Sequence, residues 1–454
     1  MAKGINSKIK TLWGTSEIGF SFMSAMETSF FIVFLTDAAQ LPLPLIAAIT
    51  GFVGIADAVS AVLAGAVIDK VHLKGGKYRP WLIICPPLVM IFFILMFTNI
   101  GGDVVAALIC GIGYVLSHFI WNIAWTANRA LVGILSDDPK ERGFLSGRLG
   151  AGSALGKIIA SYGVPALTTA IIAAMAALGP VFGYTITAAV ASGCFLLAYL
   201  VHYLITKGYD IPEETPASEA KKSASFVDIV KTIFTNPQLA IVVLADAVRL
   251  VGYYGFAASA AYYARVVIGD PAAVSIILII FNAGTFVGAF ATGTIVKKFG
   301  TKMTTIACTG IAGLLMIALY LVPMPIIAFY VVLAVSEVVF GVAYGLTSSL
   351  YSMCATLSEY QKGVDIRGMA MAGSSLAIKI AIAVRGVLIS AMLSAIGYAA
   401  DAAITPEMQG GISLIVLLIP GALMVVSALL FALYNIKDDD VPMMEQEIAA
   451  KKAA

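Results

Sequence analysis

Charge is what this sequence has least of. Only 12% of its 454 residues are Asp, Glu, Lys or Arg, against roughly 25% in soluble domains. Basic and acidic residues nearly cancel at net +2, so the broad positive surface that nucleic acid requires is not expected. Histidine is rarer still. His72, His118 and His202 have no metal-ligand spacing, which argues against a metal centre. Cys85, Cys110, Cys194, Cys308 and Cys354 lie scattered in or at the ends of apolar runs, without a CxxC, and read as small core residues. No nucleophile–base pair stands out, so an enzyme is not expected, nor any cofactor. The opening "MAKGINSKIK" is short and polar, and no separate signal peptide is expected.

Apolar residues are abundant, at 60%. A membrane-crossing helix needs about 20 of them in a row. Twelve such segments are expected near 16–37, 43–68, 80–99, 103–130, 149–177, 181–205, 238–263, 273–296, 303–322, 325–353, 370–398 and 410–436. The fold class is therefore an all-α polytopic membrane protein. Cations cluster at the N-terminus, in "DKVHLKGGKYRP", "DDPKERGFLSGR", "KKFGTK" and "YQKGVDIR", and in the tail; the alternate loops "AAQLPLP", "NIGGD", "AALGP" and "VPMP" have none. By the positive-inside rule both termini are expected in the cytoplasm.

The polar insert "TKGYDIPEETPASEAKKSASF" reads as a cytoplasmic linker at 206–226. It separates a six-helix half at 1–205 from one at 227–436, with a tail at 437–454. "FVDIVKTIF" after it could lie flat on the membrane surface. The halves echo each other: "GAVIDKVHLKGGKYRPW" leaves the second helix and "GTIVKKFGTKMTT" the eighth. Two parallel six-helix repeats are a transporter plan.

Charges at membrane depth are costly and mark functional candidates. Five acids (Glu17, Glu27, Asp57, Asp246, Glu337) face five bases (Arg129, Lys157, Arg249, Lys379, Arg385). Asp57 lies in "GFVGIADAVSAVLAGAVIDK", twelve residues before Asp69, which is roughly 18 Å of helix. It must be protonated or meet a cation; a coupling ion and a static salt bridge to a base such as Lys379 both fit. Glu17, Ser21, Ser24 and Thr28 make one polar helix face, for a cavity or for helix packing. "HFIWNIAWTANRA" gathers His118, Trp121, Asn122, Trp125 and Arg129, which suits the apolar face and hydroxyl edge of a sugar, or an interfacial aromatic belt. Asp246 and Arg249, three apart, are expected to pair. Lys157 and Arg385 meet either an anionic solute or the acids Glu27 and Glu337.

"GKYRPW" resembles the loop signature of the glycoside–pentoside–hexuronide:cation symporters, the branch of the major facilitator superfamily that contains the melibiose carrier. "WGTSEIGF" with "FLTDA", "LVGILSDDPKERGFLSGR", "TNPQL", "YYARVVIGD" and "SEYQKGVDIR" followed by Lys379 and "SAIGY" resemble it in order and spacing over nearly the whole chain. The resemblance implies the major facilitator fold and cation-coupled sugar symport. It puts Asp57 on the first carboxylate of the cation site, Ser60 on a neighbouring amide, Asn122 on a hydroxyl ligand position and Lys379 on the lysine of the eleventh helix. The second carboxylate is replaced by Ala61. The two galactoside-binding carboxylates align with Ser21 and Trp125, and Arg148 keeps a basic position.

The expectation is thus a carrier of the bacterial inner (plasma) membrane, functional as a monomer. It couples Na+ or H+ at Asp57, Ser60, Asn122 and Lys379 to a small polar solute of sugar or sugar-acid type. The solute is held by Glu17, Ser21, Trp121, Trp125, Arg129, Arg148 and Lys157. The rival is a lipid or amphiphile carrier, lysolipid-like, on the same fold.

Overall fold

Backbone polar groups in hydrocarbon must be satisfied within their own segment, which leaves the helix as the natural element for runs this apolar. A computed structural model describes residues 5–71, 73–136, 139–210, 226–363 and 366–453, whose regular structure is helical, with no strand among them. His72 and residues 211–225 of the expected linker lie outside the described residues, as does the side chain of Ala61.

Two compact units form: Met1–Ser223 with Ala399–Ala402, and Ala224–Tyr398 with Ala403–Ala454. The first contains α1 (Ser7–Leu12), α2 (Thr15–Val33), α3 (Leu43–Lys70), α4 (Trp81–Met96), α5 (Asp103–Leu135), α6 (Pro139–Ala174) and α7 (Pro180–Ile205). The second contains α8 (Phe226–Thr235), α9 (Pro237–Tyr262), α10 (Ala273–Phe299), α11 (Thr301–Leu321), α12 (Ile326–Tyr344), α13 (Thr347–Lys362), α14 (Arg367–Ala395), α15 (Pro406–Ser413), α16 (Ile419–Ala432) and α17 (Asp440–Ala453). Ten helical stretches among the described residues are long and apolar enough to cross a membrane; α3 and α4 lie on the second and third expected segments.

Several boundaries differ from expectation. The fifth helix begins at Pro139, ten residues early. Its charged start tolerates helix because Glu141 in the first turn suits the positive end of the helix dipole. The segment expected at 325–353 is broken: α12 stops at Tyr344 and α13 runs from Thr347 to Lys362. Thr347 Oγ donates back to Tyr344 O at 2.8 Å and accepts from Arg249 Nη2 at 2.6 Å, which holds the break between Gly345 and Leu346. α2 and α9 both finish in a π-helical turn, at Phe34–Ala38 and Tyr263–Ile268.

The internal echo has a structural counterpart. Asp210, after α7, accepts from the backbone N–H groups of Lys77, Tyr78 and Arg79 at 3.2, 2.7 and 2.7 Å. Gly76 lets the carboxylate in: its φ is +125° and an added Cβ would collide with the Asp210 side chain. Asp438, after α16, accepts from Thr301 N at 2.6 Å beside Gly300, whose φ is +74°. In each unit the carboxylate after the last long helix anchors the polar turn of the repeated loop.

Candidate functional site

α3 packs against α5 in the first unit. Asp57 and Ser60 lie almost one turn apart on α3, which puts them on one face, and Asn122 comes from α5. All three are buried, at 2, 5 and 8% exposure. Asn122 Nδ2 donates to Asp57 Oδ1 and to Ser60 Oγ, each at 3.1 Å. Ser60 Oγ donates to Asp57 O at 2.8 Å and lies 3.4 Å from Asp57 Oδ1. This cluster joins residues 62 and 65 positions apart. Turning the Asn122 amide over exchanges its donor for a carbonyl oxygen at little steric cost. The same three side chains then present a carboxylate, a hydroxyl and an amide oxygen, a donor set that suits a hard monovalent cation or a proton on the carboxylate. Lys379 is half-buried on α14, in the second unit.

A second cluster joins α2, α5 and α6. Arg129 Nη2 donates to Glu17 Oε1 at 3.0 Å; Glu17 is buried, while the arginine side chain is 44% exposed. The guanidinium lies over the half-buried Trp125 ring, 4.1 Å from its centroid. Exposed Lys157, on α6, acts electrostatically on the same Glu17. The cluster therefore offers a cation fixed over an aromatic plane, with a second cation near its carboxylate, an arrangement that can receive a carboxylated ring.

Other candidates take different places. Ser21 is buried, donates to Glu17 O at 2.7 Å and lies 3.5 Å from Ser153 O on α6, so its hydroxyl works in the helix seam. Trp121 is buried at 7% exposure, 4.1 Å from the His118 ring and edge-on to Phe20 at 5.0 Å. Arg148 is exposed and lies over Phe144, one turn back on α6, at 5.0 Å.

The sequence reading missed the support beneath Arg129. His202 of α7 stacks on Trp13 at 4.4 Å. Its Nδ1 donates to Asn128 Oδ1 at 2.7 Å, and its Nε2 accepts from Ser16 N at 3.4 Å. Asn128 Nδ2 donates to Ser16 Oγ at 3.1 Å. Asn128 and Ser16 directly precede Arg129 and Glu17, so a fully buried network grips the backbone on both sides of that ion pair. The available signal was Asn128 inside "WTANRA" with a late histidine in the sixth apolar run.

In the second unit Arg249 Nη2 and Asp246 Oδ1 pair at 2.6 Å, fully buried, as their spacing implies. Tyr351 donates to Asp246 Oδ2 at 3.1 Å. Arg385 donates to Tyr254 O at 3.2 Å. Among the described residues no group of three or more His, Cys, Asp or Glu could hold a metal ion.

Residues 12–438 match the family described as MFS/sugar transport protein. The glucuronide carrier protein homolog of Escherichia coli (strain K12) is 24% identical over 457 residues, covering 98% of this chain and 96% of that relative. Among solved structures, a point variant of the nucleoside transporter NupG superposes with a TM-score of 0.68 at 15% identity, over 95% of this chain and 100% of that one. A D-xylose-proton symporter superposes at 0.64 and 16%, over 95% and 98%. Ten apolar helical stretches and bacterial relatives of this kind make the chain a multi-pass protein of the bacterial inner membrane, a transporter and not an enzyme. The chain belongs to the MFS/sugar transport protein family, in its glycoside–pentoside–hexuronide:cation symporter branch.

Proposed function

We propose that this carrier is a cation-coupled symporter, using Na+ or H+, of a sugar acid or glycoside, working by alternating access. It has twelve membrane-spanning helices in two six-helix halves, with both termini in the cytoplasm. The observation that carries the coupling is the buried Asp57–Ser60–Asn122 cluster. A charged carboxylate buried at this depth is costly. An arriving cation removes that cost, so the occupied and empty carriers differ in free energy, as coupling requires.

Arg129, held by Glu17 over Trp125, supplies the solute contact, with Lys157 as a second cation. The pairing of a guanidinium with an indole face favours a ring that bears a carboxylate, and the glucuronide carrier homolog among the relatives supports that class. The test is a thermal-shift screen of the purified protein against neutral sugars, uronic acids, glycoside acids and amphiphiles, in Na+ and in K+. Stabilisation by an acidic sugar or glycoside is the expected result. Stabilisation by amphiphiles alone would overturn the solute class.

A further inference from the structure

The first unit does not hold every buried acid. Glu337 lies eleven residues into α12, about 17 Å along its axis, and is 1% exposed. No basic side chain meets it among the described residues. Among the described residues its side-chain hydrogen-bond partner is Thr285 of α10, with 3.3 Å between Thr285 Oγ and Glu337 Oε2. Thr285 Oγ also lies 2.9 Å from Phe281 O, the carbonyl one turn back. A hydroxyl carries one proton. The shorter contact takes it, in the usual bond from threonine to its own helix. Thr285 then turns a lone pair toward Glu337, and the 3.3 Å contact is attractive only if the hydrogen belongs to the carboxyl.

The surroundings agree. Tyr253 of α9 faces the same spot and is sandwiched by Phe281 at 4.3 Å and Phe340 at 4.8 Å. α11 offers the Ala312 carbonyl, already taken by Ser336. Neither α10 nor α11 presents a charged group to Glu337. The α10–α12 seam is too tight for a hydrated ion: a Cβ on Gly284 would sit 2.6 Å from Glu337 Cβ. A proton is the cation that fits.

We propose that Glu337 is a proton-binding site of the second unit, carried as a neutral carboxylic acid in this conformation and emptied during the transport cycle. On release the proton leaves Oε2 for water and a carboxylate remains, which requires the α10–α12 seam to open. The protonation of Glu337 does not rest on the role proposed for Asp57, and accumulation requires both sites.

The test is infrared spectroscopy of the carrier in bilayers, with substrate exchange measured over the same pH range. Wild type minus Glu337→Gln should show the C=O band of a protonated carboxylic acid at neutral pH, and Asp57→Asn should keep that band. Wild-type exchange should fall about tenfold per pH unit once the band is lost, and Glu337→Gln should lose that fall across the pH range in which the wild-type band disappears. Glu337→Asp should keep a band at a shifted frequency, which serves if the glutamine variant does not fold. No such band in wild type, a band that vanishes in Asp57→Asn, or a wild-type pH profile in Glu337→Gln would each overturn the proposal.

Discussion

The guanidinium of Arg129 lies 4.1 Å above the Trp125 ring while its Nη2 donates to Glu17 at 3.0 Å. One side chain is thus anchored from below by a carboxylate and laid flat on an aromatic plane. Removing the plane should cost binding. Trp125→Ala is expected to lose roughly 1–3 kcal/mol of solute affinity, the scale of a large apolar contact, and Trp125→Tyr to keep much of it. Titration calorimetry decides, and equal affinity in wild type and both variants would contradict a stacking role.

The charge on that platform makes a separate prediction. Arg129→Gln and Lys157→Gln should weaken an acidic sugar more than its neutral analogue, because only the acid loses a charge-assisted partner. Equal losses for the two ligands would remove the argument for an anionic solute.

Asp210 satisfies three backbone N–H groups of the turn at Lys77–Arg79. Asp210→Ala leaves those donors without their acceptor and should destabilise the chain by about 1–3 kcal/mol, with Asp210→Asn intermediate. Thermal unfolding in detergent measures it. An unchanged midpoint would mean that the turn holds itself.

Glu141 sits outside the membrane-spanning stretch of α6. The Ser136 hydroxyl donates to it at 2.7 Å, Ile5 N at 3.3 Å, and Lys10 Nζ lies 3.5 Å away. These contacts, the Ser136 bond foremost, hold its carboxyl below the usual carboxylate range. Because the folded state favours the ionised form, the stabilisation is fully present above the ordinary carboxylate pKa. It is lost as pH falls through the lowered one. Melting temperature followed from neutral to acid pH should therefore drop less steeply at the acid end in Glu141→Gln than in wild type. Identical acid limbs would contradict the assignment.

The apolar runs made most of the helices legible, since length and hydropathy are local properties. The break at Gly345 was not, because it depends on Arg249, 98 residues from Thr347. The Asp57 site was half legible. A lone acid in an apolar run marks itself, and family resemblance marked Ser60 and Asn122, but the amide that bridges them is a contact between α3 and α5 that no local pattern encodes. The polar face of α2 concealed two fates: Glu17 meets Arg129, whereas Ser21 is spent on the helix seam. His202 and Asn128 left almost no trace, because a satisfied buried network looks in sequence like two isolated polar residues.

Uptake into membrane vesicles under imposed Na+ and H+ gradients tests the central claim most directly, comparing wild type with Asp57→Asn. The amide keeps the size of the side chain and its place beside Ser60 and Asn122 but cannot carry the charge that a cation neutralises. Wild type should concentrate solute under at least one gradient. Asp57→Asn should lose accumulation under both while retaining downhill exchange. Accumulation by Asp57→Asn equal to wild type under either gradient would contradict the coupling role and leave the buried cluster as a structural contact between α3 and α5.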